Sequence, residues 1–206
     1  MSTDMINSSE ISIPDTQTSV YEAIFGRRMT KELTGVEVPR SVLERMLEAA
    51  IWAPNHRLTN PWRFIVLAKD SPIRKQVAEL TWQTTYDNVA NPNPEQKKNS
   101  ADASKSRVLD APAMMYAYSA PGPDEETTQE NYASVCCAVH NMALAAVAEG
   151  LVLDWSTGGI SKLPGLAKIL GADEDWAMVG ALFIGEPVNL PTSRRDAAPS
   201  IVSWLS

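Results

Sequence analysis

The chain has 206 residues, 44% hydrophobic and 21% charged, an ordinary globular composition that argues against a disordered or collagen-like chain. That length fits one compact domain. With 18 basic and 25 acidic residues the formal net charge is −7, so the surface as a whole attracts neither nucleic acid nor anionic lipid, and any bound anion must be held by a local cluster of basic groups.

Residues 1–17 are polar and rich in Ser, Thr and Asp, and read as a flexible tail ahead of a single domain over 18–206. The start lacks a basic segment and a hydrophobic signal core, which fits a cytoplasmic chain. No apolar run reaches the roughly 18 residues of a membrane helix. A short helix is expected from Val20 to about Gly26, then a longer one from Pro39 to about Ala53, with Val42, Met46 and Ala49 beside Leu43, Leu47 and Ala50 on one apolar face. Pro39 suits its first turn and Pro54 its end. Trp62–Ala68 reads as a buried strand, Pro72 to about Val89 as a helix, and Ala113–Ser119 as a second strand. The prolines of Asn91–Pro94 and Ala120–Pro123 read as breaks between elements.

A long helix is expected over Asp124–Glu149, acidic in its first turn and closed by Gly150. It is apolar round most of its circumference, as a helix inside a large core or across a subunit interface would be. A third strand, Leu151–Ser156, a short helix, Leu163–Leu170, and a fourth strand, Ala177–Ile184, complete the series. Helices alternating with strands, several of them apolar on both faces, predict an α/β or α+β domain built on one mixed sheet.

The sequence contains no phosphate loop of the G-x-x-x-x-G-K-[ST] type, no G-x-G-x-x-G after a strand and no G-x-S-x-G elbow. The adjacent Cys136 and Cys137 make no disulfide framework. Cys136 and His140 are four apart on one helix, which reads as core packing rather than a metal site. Three segments do carry polar chemistry. Arg27-Arg28, with Lys31 close behind and Arg194-Arg195 near the far end, offers planar donor forks suited to a phosphate, or simply two solvated pairs. The stretch Pro54–Pro61 packs His56, Arg57, Thr59 and Asn60 between two prolines, and reads as a recognition loop or a polar connection. Trp155-Ser156-Thr157-Gly158-Gly159 ends a strand in small residues, either a tight turn or a place where backbone N–H groups meet a ligand and the indole covers an aromatic face.

These segments, in this order, resemble the FMN-dependent nitroreductase family. The resemblance rests on Arg27-Arg28-Met29, Trp52-Ala53-Pro54, Asn60-Pro61-Trp62-Arg63-Phe64, the helix ending at Gly150, the strand Leu153–Gly158, and Gly185-Glu186-Pro187. It covers Val20 to the C-terminus and points to the small, minimal branch of the family. It implies an α+β nitroreductase-like fold, a central mixed sheet flanked by helices, and a homodimer with two FMN sites at its interface. By position, Arg27, Arg28 and one of Arg194 or Arg195 would meet the flavin phosphate and ribityl chain. Met29 stands where the family usually has Ser or Thr, so only a backbone contact survives there. Lys31 would stand at the pyrimidine edge, Trp52, His56 and Asn60 would reach the partner's FMN, and Trp155, Ser156, Thr157 and Gly158 would border the ring. Asn60 replaces a frequent Gln.

The chemistry implied is NAD(P)H-driven, ping-pong reduction of nitroaromatics, quinones or similar flat aromatic electrophiles, with no essential protein acid or base and no metal. Relatives on one fold run other flavin chemistry, so flavin fragmentation, dehalogenation, ring oxidation and a non-catalytic dimeric flavin-binding protein stand as alternatives.

Overall fold

A computed structural model describes residues 16–205. All but the last two residues of the expected tail lie outside them. Ten elements follow: α1 (Val20–Gly26), α2 (Arg40–Ile51), β1 (Trp62–Leu67), α3 (Pro72–Asn88), α4 (Pro94–Asp110), β2 (Ala113–Ser119), α5 (Glu125–Ala148), β3 (Val152–Ser156), α6 (Leu166–Leu170) and β4 (Ala177–Gly185). Local chemistry sets most boundaries. Ser19 and Glu22 form a complete capping box on α1. Ser71 caps α3, Asn93 caps α4 and Asp124 caps α5, each accepting a backbone N–H with its side chain. Pro39 is the N-cap of α2, with extended ψ, rather than part of its first turn. The helix expected from Leu163 begins only at Leu166, because Gly165 takes a left-handed conformation at φ 82°.

The sheet has the order β1-β2-β4-β3, and all three pairings are antiparallel where a mixed sheet was expected. The connections explain this. A two-helix hairpin, α3–α4, returns the chain so that β2 pairs antiparallel with β1. The single helix α5 makes a crossover from β2 to β3, which do run parallel, but β4 inserts between them antiparallel to both.

Helices cover both faces. On one, α2 and α5 pack Met46, Ala50, Val135, Val139 and Met142 against Met115, Ala117, Leu182 and Ile184. On the other, Val77, Ala78 and Val108 of α3 and α4, with Leu166 of α6, pack against Met114, Tyr116, Tyr118 and Phe183. Alternate residues of β2 therefore serve opposite cores, and all seven are buried. Helix α5 is long and apolar enough, by length and composition, to cross a membrane. Its buried side packs into the first core, as the central helix of a layered domain does. Its other side is open: Tyr132, Cys137 and His140 are exposed and Cys136 is half-buried. The Cys136–His140 pair is thus not a core pair, because one chain covers only one side of this helix.

Helix α4 has no counterpart among the expected elements. Its sequence, PEQKKNSADASKSRVLD, buries only Ala101 and Val108, so it carries almost no apolar periodicity. Polar contacts hold it instead. Arg74, fully buried, donates from Nε to the Val108 carbonyl at 2.7 Å, from Nη1 to that of Leu67 at 3.5 Å, and from Nη2 to that of Ala111. One side chain thereby ties the start of α3 to the end of α4 and the end of β1. Asp154 of β3 pairs with Arg107 of α4, whose guanidinium lies 4.0 Å from the Phe183 ring centroid.

Replacing Arg74 by Met keeps the aliphatic bulk and strands three buried carbonyls, so unfolding in urea should lose about 3 kcal/mol or more. An unchanged midpoint would show that the carbonyls find other donors.

Candidate functional site

The two arginine segments meet. Arg27, Arg28 and Met29, at the end of α1, line a recess of about 220 Å³ together with Pro191, Thr192, Ser193 and Arg195. Arg28 stitches the segments together: its Nε donates to the Pro191 carbonyl at 3.2 Å across 163 residues of chain. Its Nη1 donates to the carbonyls of Phe25 at 2.6 Å and Arg27 at 2.9 Å. Arg195 donates to Ser193 Oγ and to the Arg194 carbonyl. The Nε of Arg27 is different, buried and without a hydrogen-bond partner among the described residues. A buried donor left free beside two further guanidinium groups is what an absent anion would satisfy. Arg194 is not among the residues lining the recess.

A larger cavity, about 580 Å³, lies between the α3–α4 hairpin and the turn after β3. Lys31, Ser156 and Gly158 line it, joined by Thr81, Thr84, Thr85 and Asn88 of α3, Ser104 and Arg107 of α4, and Gly159 and Lys162 beyond β3. A Cβ built on Gly158 or Gly159 would meet nothing within 4 Å, so this stretch of backbone faces open space. Among the described residues, the lining contains cations, hydroxyls and an amide, but no carboxylate, histidine or cysteine. Lys31 and Arg107 also line a smaller recess of about 260 Å³ behind it, where Asp110 and Asp154 lie. Among the described residues, no three His, Cys, Asp or Glu side chains converge as a metal would need.

The α3 residues and Arg107 had not been expected here. Thr81, Thr84, Thr85 and Asn88 recur at helical spacing, a polar stripe that the sequence does contain. Nothing marks Arg107, which sits in the helix that periodicity fails to show. Trp155 does not join the cavity. Its neighbours in β3 alternate, and its indole lies on the α5 side of the sheet, donating to the Val179 carbonyl at 3.0 Å. The close approach requires Gly180, where a Cβ would stand 2.3 Å from the indole nitrogen. Thr157 is exposed and also outside the lining.

Trp52, His56 and Asn60 stand apart from both cavities, on the loop between α2 and β1 above the first turns of α5. His56 Nδ1 lies 2.9 Å from Glu130 Oε2, and Trp52 is exposed. Three non-glycine residues of this loop have positive φ: Arg57 at 60°, Leu58 at 51° and Asn60 at 47°. Each costs about 1–2 kcal/mol, and the loop is clamped to hold it. Asn55 accepts from the Asn60 backbone N–H at 2.8 Å and donates to Thr59 Oγ1 at 2.9 Å; Thr59 in turn donates to the buried Asn131 at 2.6 Å. At the head of α5, the Thr127 backbone N–H donated to Asp124 holds that carboxyl below its usual range, with a smaller contribution from the charge of Arg57.

The sequence pattern of the nitroreductase family matches residues 24–186. YfhC of Bacillus subtilis, named as a candidate NAD(P)H nitroreductase, is 23% identical over 174 residues, which cover 84% of this chain and 87% of that protein. A nitroreductase-like family protein from Bacillus cereus superposes with a TM-score of 0.78 at 25% identity, over 94% of this chain and 99% of the other. A candidate nitroreductase from Desulfovibrio desulfuricans, solved in complex with FMN, superposes with a TM-score of 0.69 at 24% identity, over 93% and 99%.

Asn55→Ala removes the clamp on the strained loop. Stability should fall by about 1–2 kcal/mol, and the Asn60 amide should lose protection in hydrogen exchange. Full protection in the variant would mean that other contacts hold the left-handed backbone.

Proposed function

This chain belongs to the nitroreductase family, and on that premise we propose that residues 18–206 form one FMN-binding oxidoreductase domain, working as a homodimer on flat aromatic electrophiles. The observation that carries the proposal is that Arg27, whose buried Nε has no partner among the described residues, lines a recess with Arg28 and Arg195. These residues fit a phosphate. The neighbouring cavity, with its cationic lining and open glycine backbone, fits a planar ring system whose edge carries carbonyl oxygens.

FMN, once bound, would supply two-electron hydride chemistry for a ping-pong reaction between NAD(P)H and a nitroaromatic, a quinone or a similar acceptor. The chain's own residues bind and orient. Arg27 and Arg195 hold the phosphate, and Arg28 fixes the segment bearing Arg195. Lys31, which lines the cavity, would hold the pyrimidine edge, its ammonium favouring negative charge there. The backbone of Ser156–Gly158 borders the ring. The reading assigns binding and orientation to these side chains and no proton transfer to any of them. Trp52, His56 and Asn60, remote from this chain's own cavity, serve the partner's site.

The homodimer is supported by apolar surface that one chain leaves bare. Val20, Tyr21 and Phe25 of α1, Trp52, Leu58, Tyr132 of α5, and Ile201, Trp204 and Leu205 near the C-terminus are all exposed.

The purified protein should carry flavin absorbance that bleaches with NAD(P)H under anaerobic conditions and returns on adding a nitroaromatic or quinone. A flavin-loaded dimer indifferent to both reagents would be a binding protein instead. Arg27→Ala should weaken FMN binding by about 1–3 kcal/mol in calorimetry. Arg28→Ala should weaken it less, because its Nε and Nη1 are already spent on protein carbonyls. Unchanged affinity in both variants would contradict the phosphate assignment. In sedimentation, a monomer that still holds FMN would rule out the two-chain site.

A further inference from the structure

The cavity between the α3–α4 hairpin and the turn after β3 carries more positive charge than a neutral substrate requires. Among the described residues, Lys31, Arg107 and Lys162 line it and no carboxylate does, in a chain whose net charge is −7. Arg107 is not free, since it is paired with Asp154 and packed on Phe183; it forms a fixed wall. Lys31 and Lys162 make no ion pair among the described residues. Lys31 shares the Ser156–Gly158 end already assigned to the flavin edge. Lys162 follows the turn Gly159–Ser161, to which its backbone N–H is bonded at 3.0 Å. The α3 wall presents the hydroxyls of Thr84 and Thr85 and the amide of Asn88, while the hydroxyl of Thr81 beside them is spent on the Val77 carbonyl at 2.7 Å.

Resting on the FMN reading, we infer that the acceptor reduced here is an aromatic compound bearing an acid group, with its carboxylate or equivalent anion held by Lys162 and the hydroxyls of α3. With no acid competing among the described lining residues, the field of an exposed lysine acts on such a group and is screened by salt.

The test uses the FMN-loaded protein, with loading measured first from flavin absorbance, and calorimetric titration with 4-nitrobenzoate and its neutral analogue 4-nitrobenzamide. The acid should bind about fivefold or more tightly than the amide at low salt, and the preference should shrink as salt is added. Lys162→Gln should remove most of that preference and Lys162→Arg should restore it. Equal affinities in the wild type, or a preference that survives in Lys162→Gln, would overturn the inference. So would a variant that keeps the nitrobenzoate preference but loses discrimination between NADPH and NADH, which would assign the lysine to the donor's phosphate. A chain that takes up no FMN sinks the functional reading itself, whereas a loaded chain without charge preference sinks this inference alone.

Discussion

A chain with net charge −7 must concentrate cations to hold an anion, and everything proposed for this protein depends on where it does so. Arg27 and Arg28 at the end of α1 and Arg195 are far apart in sequence and line one recess, their segments tied by a hydrogen bond from Arg28 to the Pro191 carbonyl. Of the two guanidinium groups at the start of that recess, one is consumed by protein carbonyls and the other keeps a buried donor free. That division of labour separates a residue that builds the recess from one that would bind in it.

The larger cavity depends on a different constraint, the placement of α4. This helix buries almost nothing apolar and is fixed by charge: Arg74 on the carbonyls at its end, and Arg107 on Asp154 and Phe183. With α4 in place, α3 presents its polar stripe across from the turn that follows β3. The same pair, Arg107 with Asp154, separates a cavity free of acids from a small recess that contains them. Fold and site are therefore held by the same buried polar contacts, which is why the chain tolerates a helix with so little hydrophobic patterning.

Apolar periodicity made α2, α5 and the four strands legible, because each has a core to face and shows it in its residues. The same criterion is blind to α4, whose anchors are an arginine on another helix and an arginine of its own. Antiparallel pairing throughout the sheet was hidden for a related reason: whether β4 lies at an edge or between β2 and β3 is a tertiary choice that strand residues do not encode. Among site residues, Arg27 and Arg28 line one recess and Lys31, Ser156 and Gly158 line another cavity. Trp155 lines neither, because alternation along β3 turns its indole to the opposite face from Ser156. His56 and Asn60 lie on a strained loop whose three positive-φ residues are not glycines, so composition gave no warning of that backbone.

The central claim is that the arginine recess holds a phosphate, and the most direct measurement compares FMN with riboflavin, which shares the ring and ribityl chain but lacks that group. The account predicts that FMN binds the purified protein at least about a hundredfold more tightly, the scale of two charge-assisted hydrogen bonds at the low end of their range. Equal affinity for the two flavins would contradict it.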